Sequence, residues 1–249
     1  MPSEAGTLLI AHRGESYDAP ENTLAAIGLA WDRGATAVEI DARLCADGVL
    51  MVSHDPDTRR IGGTRRPIYR QTEAELRRLD AGAWKHARWA GARMPRLRDV
   101  LATVPTRGRL FIEMKEGAET VPPLQADLAQ SRLRPAQATV MSFHEATVAA
   151  AVRALPENEV CLLLRARDYR TPQAWSQAIV RARQLGARSL DVEAHSRLNR
   201  TLITAAHTAG LNVYTWTVNR TPIARRLAAA GIDGITTDRR AWLAAQLGQ

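Results

Sequence analysis

The stretch TAVEIDARLCADGVLMVSH, residues 36–54, holds two strand-like runs, TAVEIDARL and GVLMVSH, joined by little more than CADG. A parallel crossover needs about a dozen residues, so this connection suits a hairpin. Elsewhere TLLIAH, RLFIEMK, ATVMSF, EVCLLL, SLDVEA, LNVYTWTV and DGITTD also read as strands. Most are separated by amphipathic stretches such as PENTLAAIGLAWDRG, EATVAAAVRALP and AWSQAIVRARQLG. Alternating βα units predict a parallel sheet, and this many predict a closed (β/α)8 TIM barrel. The runs number one more than a barrel requires, and the hairpin accounts for the surplus: GVLMVSH extends the second strand outside the ring.

A two-residue turn at Asp47-Gly48 pairs Ala46 with Val49 and, stepping outward, Asp41 with His54. Glu39 shares the face of Asp41 because strand side chains alternate. Local geometry therefore predicts Glu39, Asp41 and His54 together.

The 249 residues, 45% hydrophobic and 24% charged, suit one folded body rather than a disordered or fibrous chain. One domain over residues 1–249 is expected, with residues 55–96 as a small, loop-rich insertion after the hairpin, of the kind that serves as a lid or binding loop. No run approaches a membrane span, and TLLIA lacks the basic flank of a signal peptide, so a cytoplasmic protein without stable membrane insertion is expected. Cys45 and Cys161 read as buried free thiols.

The net charge of +8 invites a nucleic-acid reading. Its distribution argues otherwise: Asp55 to Asp99 holds twelve Lys or Arg against six Asp or Glu, so most of the surplus is local. Only Lys85 and Lys115 are lysines, which makes each worth explaining.

Catalytic side chains of such barrels stand at the C-terminal ends of strands. His12, Arg13, Glu39, Asp41, Glu113 and Lys115 occupy such ends, joined by His54. Glu113 and Lys115 repeat the i, i+2 spacing of Glu39 and Asp41. Three inward carboxylates without a sulfur ligand describe a hard divalent cation, Mg2+ or Ca2+, with Mn2+ a further candidate. His12 and His54 suit general acid and base, and Arg13 and Lys115 suit an anion, phosphate foremost. Each residue alone reads better as an ion pair or a core histidine; seven at one barrel end reverse that judgement.

Other readings are weaker. Trp216 could wall a substrate pocket or simply pack in the core. Glu193 and His195 lie near a strand end with ion pairing or exposure the safer assumption, His144 lines a pocket or caps a helix, and His86 and His207 read as surface residues. Asp18 with Glu21 resembles a capping box opening the first helix, with Pro20 in its first turn, so DAPENT needs no catalytic role.

The motifs HRG, PENT, VEIDARL with DGVLMVSHD, LDAGAW, FIEMK, YTWTVN and DGITTD, in this order across nearly the whole chain, resemble the glycerophosphodiester phosphodiesterases. The resemblance, nearest to the cytoplasmic bacterial members, implies a (β/α)8 barrel with an insertion after the HD motif. It also implies metal ligation by Glu39, Asp41 and Glu113, acid and base roles for His12 and His54, and phosphate contacts from Arg13 and Lys115. The implied reaction takes a small glycerophosphodiester to glycerol 3-phosphate and an alcohol, with water or the substrate's own 2-hydroxyl as first nucleophile. Glu193 departs from the uncharged residue usual in the family and could favour a cationic head group. Rival readings are a phospholipase-like or lyase-like enzyme ending at a cyclic phosphate, a basic nucleic-acid-binding protein and a catalytically dead scaffold.

Overall fold

The computed structural model describes residues 6–249; residues 1–5 of the expected domain lie outside it. Among the described residues nine strands form: β1 (Leu8–His12), β2 (Ala37–Leu44), β3 (Leu50–Val52), β4 (Arg109–Met114), β5 (Ala138–Ser142), β6 (Glu159–Leu164), β7 (Ser189–Glu193), β8 (Asn212–Trp216) and β9 (Gly234–Thr237). All except β3 run parallel in a ring that closes where β1 pairs with β2. Eight helices follow the ring strands in turn: α1 (Leu24–Asp32), α2 (Leu97–Leu101), α3 (Val121–Gln130), α4 (Glu145–Ala154), α5 (Pro172–Gln184), α6 (Arg200–Thr208), α7 (Thr221–Ala229) and α8 (Arg240–Leu247).

The strands read as near-continuous apolar runs because both of their faces are covered. Outward residues such as Leu9, Val38, Ile40, Leu110, Ile112, Leu162, Leu190 and Val192 join helix residues such as Ile27, Val148 and Ile203 in one core. Truncating any one of these to Ala is expected to cost about 2–5 kcal/mol. Inward residues Ile10, Phe111, Met141, Cys161, Leu163 and Tyr214 fill the barrel's centre. Cys45 and Cys161 are free and buried.

Strand β3 is the return arm of the hairpin, outside the ring, but its register differs from the expected one by one residue. Arg43 faces Met51 and Leu44 faces Leu50, and the Ser53 amide donates to the Asp41 carbonyl, so Asp41 stands opposite Ser53 rather than His54. The turn is Ala46-Asp47-Gly48, not Asp47-Gly48, and only Gly48 takes positive φ (78°). A two-residue type I′ turn needs positive φ at both central residues; a single left-handed glycine closes a three-residue loop instead. His54 reaches the barrel mouth because the strand ends at Val52 and the chain turns over the rim.

Ile68, Leu76 and Met94 of the insertion form a separate apolar cluster with Cys45 and Met51 of the hairpin. Many of its cations are paired: Arg60 with Asp55 and Glu21, Arg65 with Asp57, Arg66 with Glu75 and Arg77 with Glu73. Lys85, Arg88 and Trp89 donate to the carbonyls of Ser16 and Asp18, tying the segment to the β1–α1 loop. No described helix is long and apolar enough to cross a membrane.

Candidate active site

Alternation along β2 turns Glu39 and Asp41 into the barrel, and β4 sets Glu113 beside Asp41. One oxygen from each lies within 4.8 Å of the others, and all three residues are buried. Burial, then the Asp41 charge, pushes Glu39 well above the carboxylate range and Glu113 up to about 7. Asp41 goes the other way: burial opposes its charge, but Arg13, Lys115 and His54 together hold it ionised far below its ordinary value. Asp41 Oδ1 meets Lys115 Nζ as an ion pair at 3.1 Å but has no aligned hydrogen-bond donor. Clustered, oxygen-only, like-charged ligands with an open lone pair fit a hard divalent cation.

The HRG triplet is a turn forced on the chain by what surrounds it. Arg13 (φ 56°) and Gly14 (φ 84°) are both left-handed, and a Cβ on Gly14 would lie 2.5 Å from the Ala26 carbonyl carbon of α1. That turn points the Arg13 amide at Glu39 Oε2 (3.0 Å) and its guanidinium at Glu21 (2.8 Å) and Asp41 (3.0 Å). Lys115 Nζ lies 2.6 Å from Glu113 and 3.1 Å from Asp41, as the i, i+2 spacing requires. The two cations therefore balance part of the triad's charge.

Both imidazoles have Nδ1 on a carboxylate: His12 on Asp238 at 2.5 Å and His54 on Asp55 at 3.0 Å. This arrangement leaves each Nε2 for the cleft; that of His12 stands 3.9 Å from Glu39. Asp238 is fixed in turn by Asn219 (2.6 Å), and although burial opposes its charge, the His12 contact lowers it to about 2. Burial pushes His54 below its ordinary value, partly offset by Asp41. His54 is the more open, its side chain 39% exposed against 16% for His12.

The opposite wall of the cleft is largely apolar, built from Met141, Phe143, Leu163 and Trp216, with Asp191, Arg165 and Thr217 among its polar residues. Trp216 stacks edge-on against Phe143, with ring centroids 5.7 Å apart, and its Nε1 lacks a partner. Asp191 Oδ1 is likewise unpartnered, and burial, then Glu113, pushes this carboxyl well above its ordinary range.

Of the weaker candidates, Trp216 lines the cleft and the others fall outside it. Glu193 accepts the Ala166 amide (2.9 Å), and His195 Nδ1 accepts that of Arg197 (3.2 Å). His144 is the N-cap residue of α4 without a side-chain cap bond, His86 caps a single turn in the insertion, and His207 pairs with Asp233 at 2.7 Å. The expected capping box of Asp18 and Glu21 does not form; Thr23 caps α1 instead, accepting from the Ala26 amide. PENT serves the site after all. Asn22, held at φ 59°, donates to Asp41 Oδ2 (2.8 Å) and accepts its amide (3.2 Å), while Glu21 grips Arg13.

Sequence reasoning missed Asn22, Asp55, Asp191 and Asp238 as parts of this constellation. Asp191 had a legible signal, since Ser189 and Asp191 alternate with the outward Leu190 and Val192. Asp55 and Asp238 lie just past strand ends, where alternation no longer predicts direction.

A model of the glycerophosphoryl diester phosphodiesterase family matches residues 12–241. A Bacillus subtilis relative is 32% identical over 92% of this chain and 93% of its own. A glycerophosphodiester phosphodiesterase of Caldanaerobacter subterraneus is 30% identical, covering 93% and 94%. Among solved structures, an Oleispira antarctica phosphodiesterase in complex with the product sn-glycerol-3-phosphate matches with a TM-score of 0.89 at 28% identity over 98% of both chains.

Proposed function

Because the chain belongs to the glycerophosphoryl diester phosphodiesterase family, we propose that its cleft hydrolyses glycerophosphodiesters, such as glycerophosphocholine and glycerophosphoethanolamine, to glycerol 3-phosphate and an alcohol. The observation that carries this reading is the pair of carboxylate-oriented imidazoles, His12 and His54, lining one cleft with three clustered carboxylates and two cations.

Glu39, Asp41 and Glu113 would hold Mg2+, Ca2+ or Mn2+, which when bound polarises a phosphoryl oxygen and offsets the charge developing on it. Arg13 and Lys115 bind the phosphate: their eight N–H donors outnumber their contacts to carboxylates, and both project from the wall that carries the triad. One imidazole takes the proton of the nucleophile at Nε2 and the other delivers a proton to the departing alcohol oxygen. Asp238 and Asp55 keep the Nδ1 proton in place, so that Nε2 is the exchanging atom of each ring. The base begins with Nε2 free and the acid with Nε2 protonated, and exchange with solvent restores both states after each cycle. Asn22 holds Asp41 from both its amide groups and keeps that carboxylate turned into the site. The apolar wall excludes water from the far side of the phosphate.

Phosphorus NMR of glycerophosphocholine and its acylated counterpart, each incubated with the protein and Mg2+, tests substrate class and product together. Conversion of the deacylated diester to the glycerol 3-phosphate resonance is expected. Accumulation of a cyclic phosphate, or turnover of the acylated lipid alone, would favour the lyase-like or phospholipase-like rival.

A further inference from the structure

Arg165 is the first residue after β6, and β6 lies four strands from β1 in either direction around the ring. The side chain therefore enters the cleft from the wall diametrically opposite His12 and Arg13. Its charge is also differently placed. Arg13 and Lys115 sit on the triad's carboxylates, whereas among the described residues Arg165 has no ion-pair partner. Its guanidinium lies 4.9 Å from the Phe143 ring centroid, and that ring is braced edge-on by Trp216. Stacking of this kind fixes a guanidinium without using its hydrogen bonds, so the N–H fork stays free for a ligand.

Glu193 does not pair with Arg165, because its carboxylate accepts the Ala166 amide (2.9 Å), and Asp168 accepts the backbone amide of Arg165 (2.9 Å). At the floor between the walls, Asp191 keeps an oxygen buried and unpartnered, which calls for a polar rather than a quaternary ammonium group on the ligand.

We propose that Arg165 forms a subsite for an anionic group at the end of the substrate remote from the scissile phosphate. The enzyme then prefers glycerophosphodiesters whose alcohol carries a second phosphate or a carboxylate over those carrying choline. This specificity rests on the hydrolase reading above, and it reverses the cationic preference that Glu193 suggested from sequence.

The test compares kcat/KM for glycerophosphocholine, glycerophosphoglycerol and the terminal phosphomonoester of glycerophosphoglycerol, in the wild type and in Arg165→Gln, Arg165→Lys and Arg165→Glu. The wild type should favour the phosphorylated diester over the choline diester by about tenfold, the size of one charge-assisted hydrogen bond. Arg165→Gln should erase most of the ratio between the phosphorylated and neutral glycerol diesters, chiefly through KM. Arg165→Lys should keep part of it, and Arg165→Glu should move the preference toward choline. Turnover with ratios unaltered by all three variants overturns the subsite and leaves the hydrolase intact. Absence of turnover of any diester by the wild type overturns the hydrolase reading and the subsite with it.

Discussion

The two ends of the barrel are built from the same inward-facing alternation and treat charge in opposite ways. At the N-terminal end, Arg109 pairs with Glu159 and donates to Thr139 (2.9 Å), while Tyr214 donates its hydroxyl to Glu159 (3.0 Å). Phe111 and Tyr214 close over this pair, their ring centroids 5.2 Å apart, and the charges cancel. At the C-terminal end, Glu39, Asp41 and Glu113 crowd together, only partly balanced by Arg13 and Lys115, and Asp191 keeps an unpartnered oxygen. The Arg109–Glu159 pair neutralises itself; the triad keeps an excess of negative charge. A barrel thus separates stability from chemistry along its own axis.

Breaking the open end should abolish turnover without unfolding the protein. His12→Ala or His54→Ala is expected to lower kcat by about a thousandfold or more, within the range of positioned proton transfer, with an unchanged circular dichroism spectrum. Near-wild-type activity in either variant would remove that histidine from the mechanism. Asp238→Asn, which leaves His12 without a charged partner, should cost about a hundredfold in kcat and displace one limb of the pH–rate profile. A structural role alone would leave that limb where it is.

The triad's unbalanced charge should be visible in stability. Glu113, raised to about 7, binds its proton more tightly in the folded protein than in the unfolded chain, and Glu39 is shifted in the same direction. Stability of the chelated protein should therefore fall as pH rises from about 4.5, the ordinary glutamate value, to about 7. Thermal melts across this window should show a declining Tm, which Mg2+ reverses and Glu113→Gln flattens. Asp238 does not blur the test: lowered to about 2, its contribution is lost only as pH falls below its ordinary value of 3.8. A Tm that rises across the window would contradict the electrostatic picture.

The closed end should respond in the converse way. Arg109→Met strands Glu159 and is expected to cost about 3 kcal/mol in denaturant unfolding, while kcat/KM of the folded enzyme changes by no more than about threefold. A large loss of activity at unchanged stability would blur the division between the ends.

Much of this division was legible from spacing. The i, i+2 pairs on β2 and β4 place Glu39, Asp41, Glu113 and Lys115 inward without any tertiary information. The hairpin register was not legible, because Asp47-Gly48 fits a two-residue or a three-residue loop. The backbone of residue 47 decides, and it stays out of the left-handed region. PENT reads as a helix start because Asp18 and Glu21 have the spacing of a capping box and Pro20 suits a first turn. Only the left-handed backbone at Asn22 shows that its amide faces Asp41 while Thr23 does the capping. Asp238 escaped for a related reason: its partner is 226 positions away, and a residue beyond a strand end has no alternation to follow.

The most direct test is release of glycerol 3-phosphate by the purified protein from a panel of glycerophosphodiesters, measured with Mg2+, after chelation, and after Mg2+, Mn2+ or Ca2+ is restored. Release that stops with chelator and resumes with a divalent cation is expected. No glycerol 3-phosphate from any diester under any of these conditions would contradict the assignment of the barrel's open end.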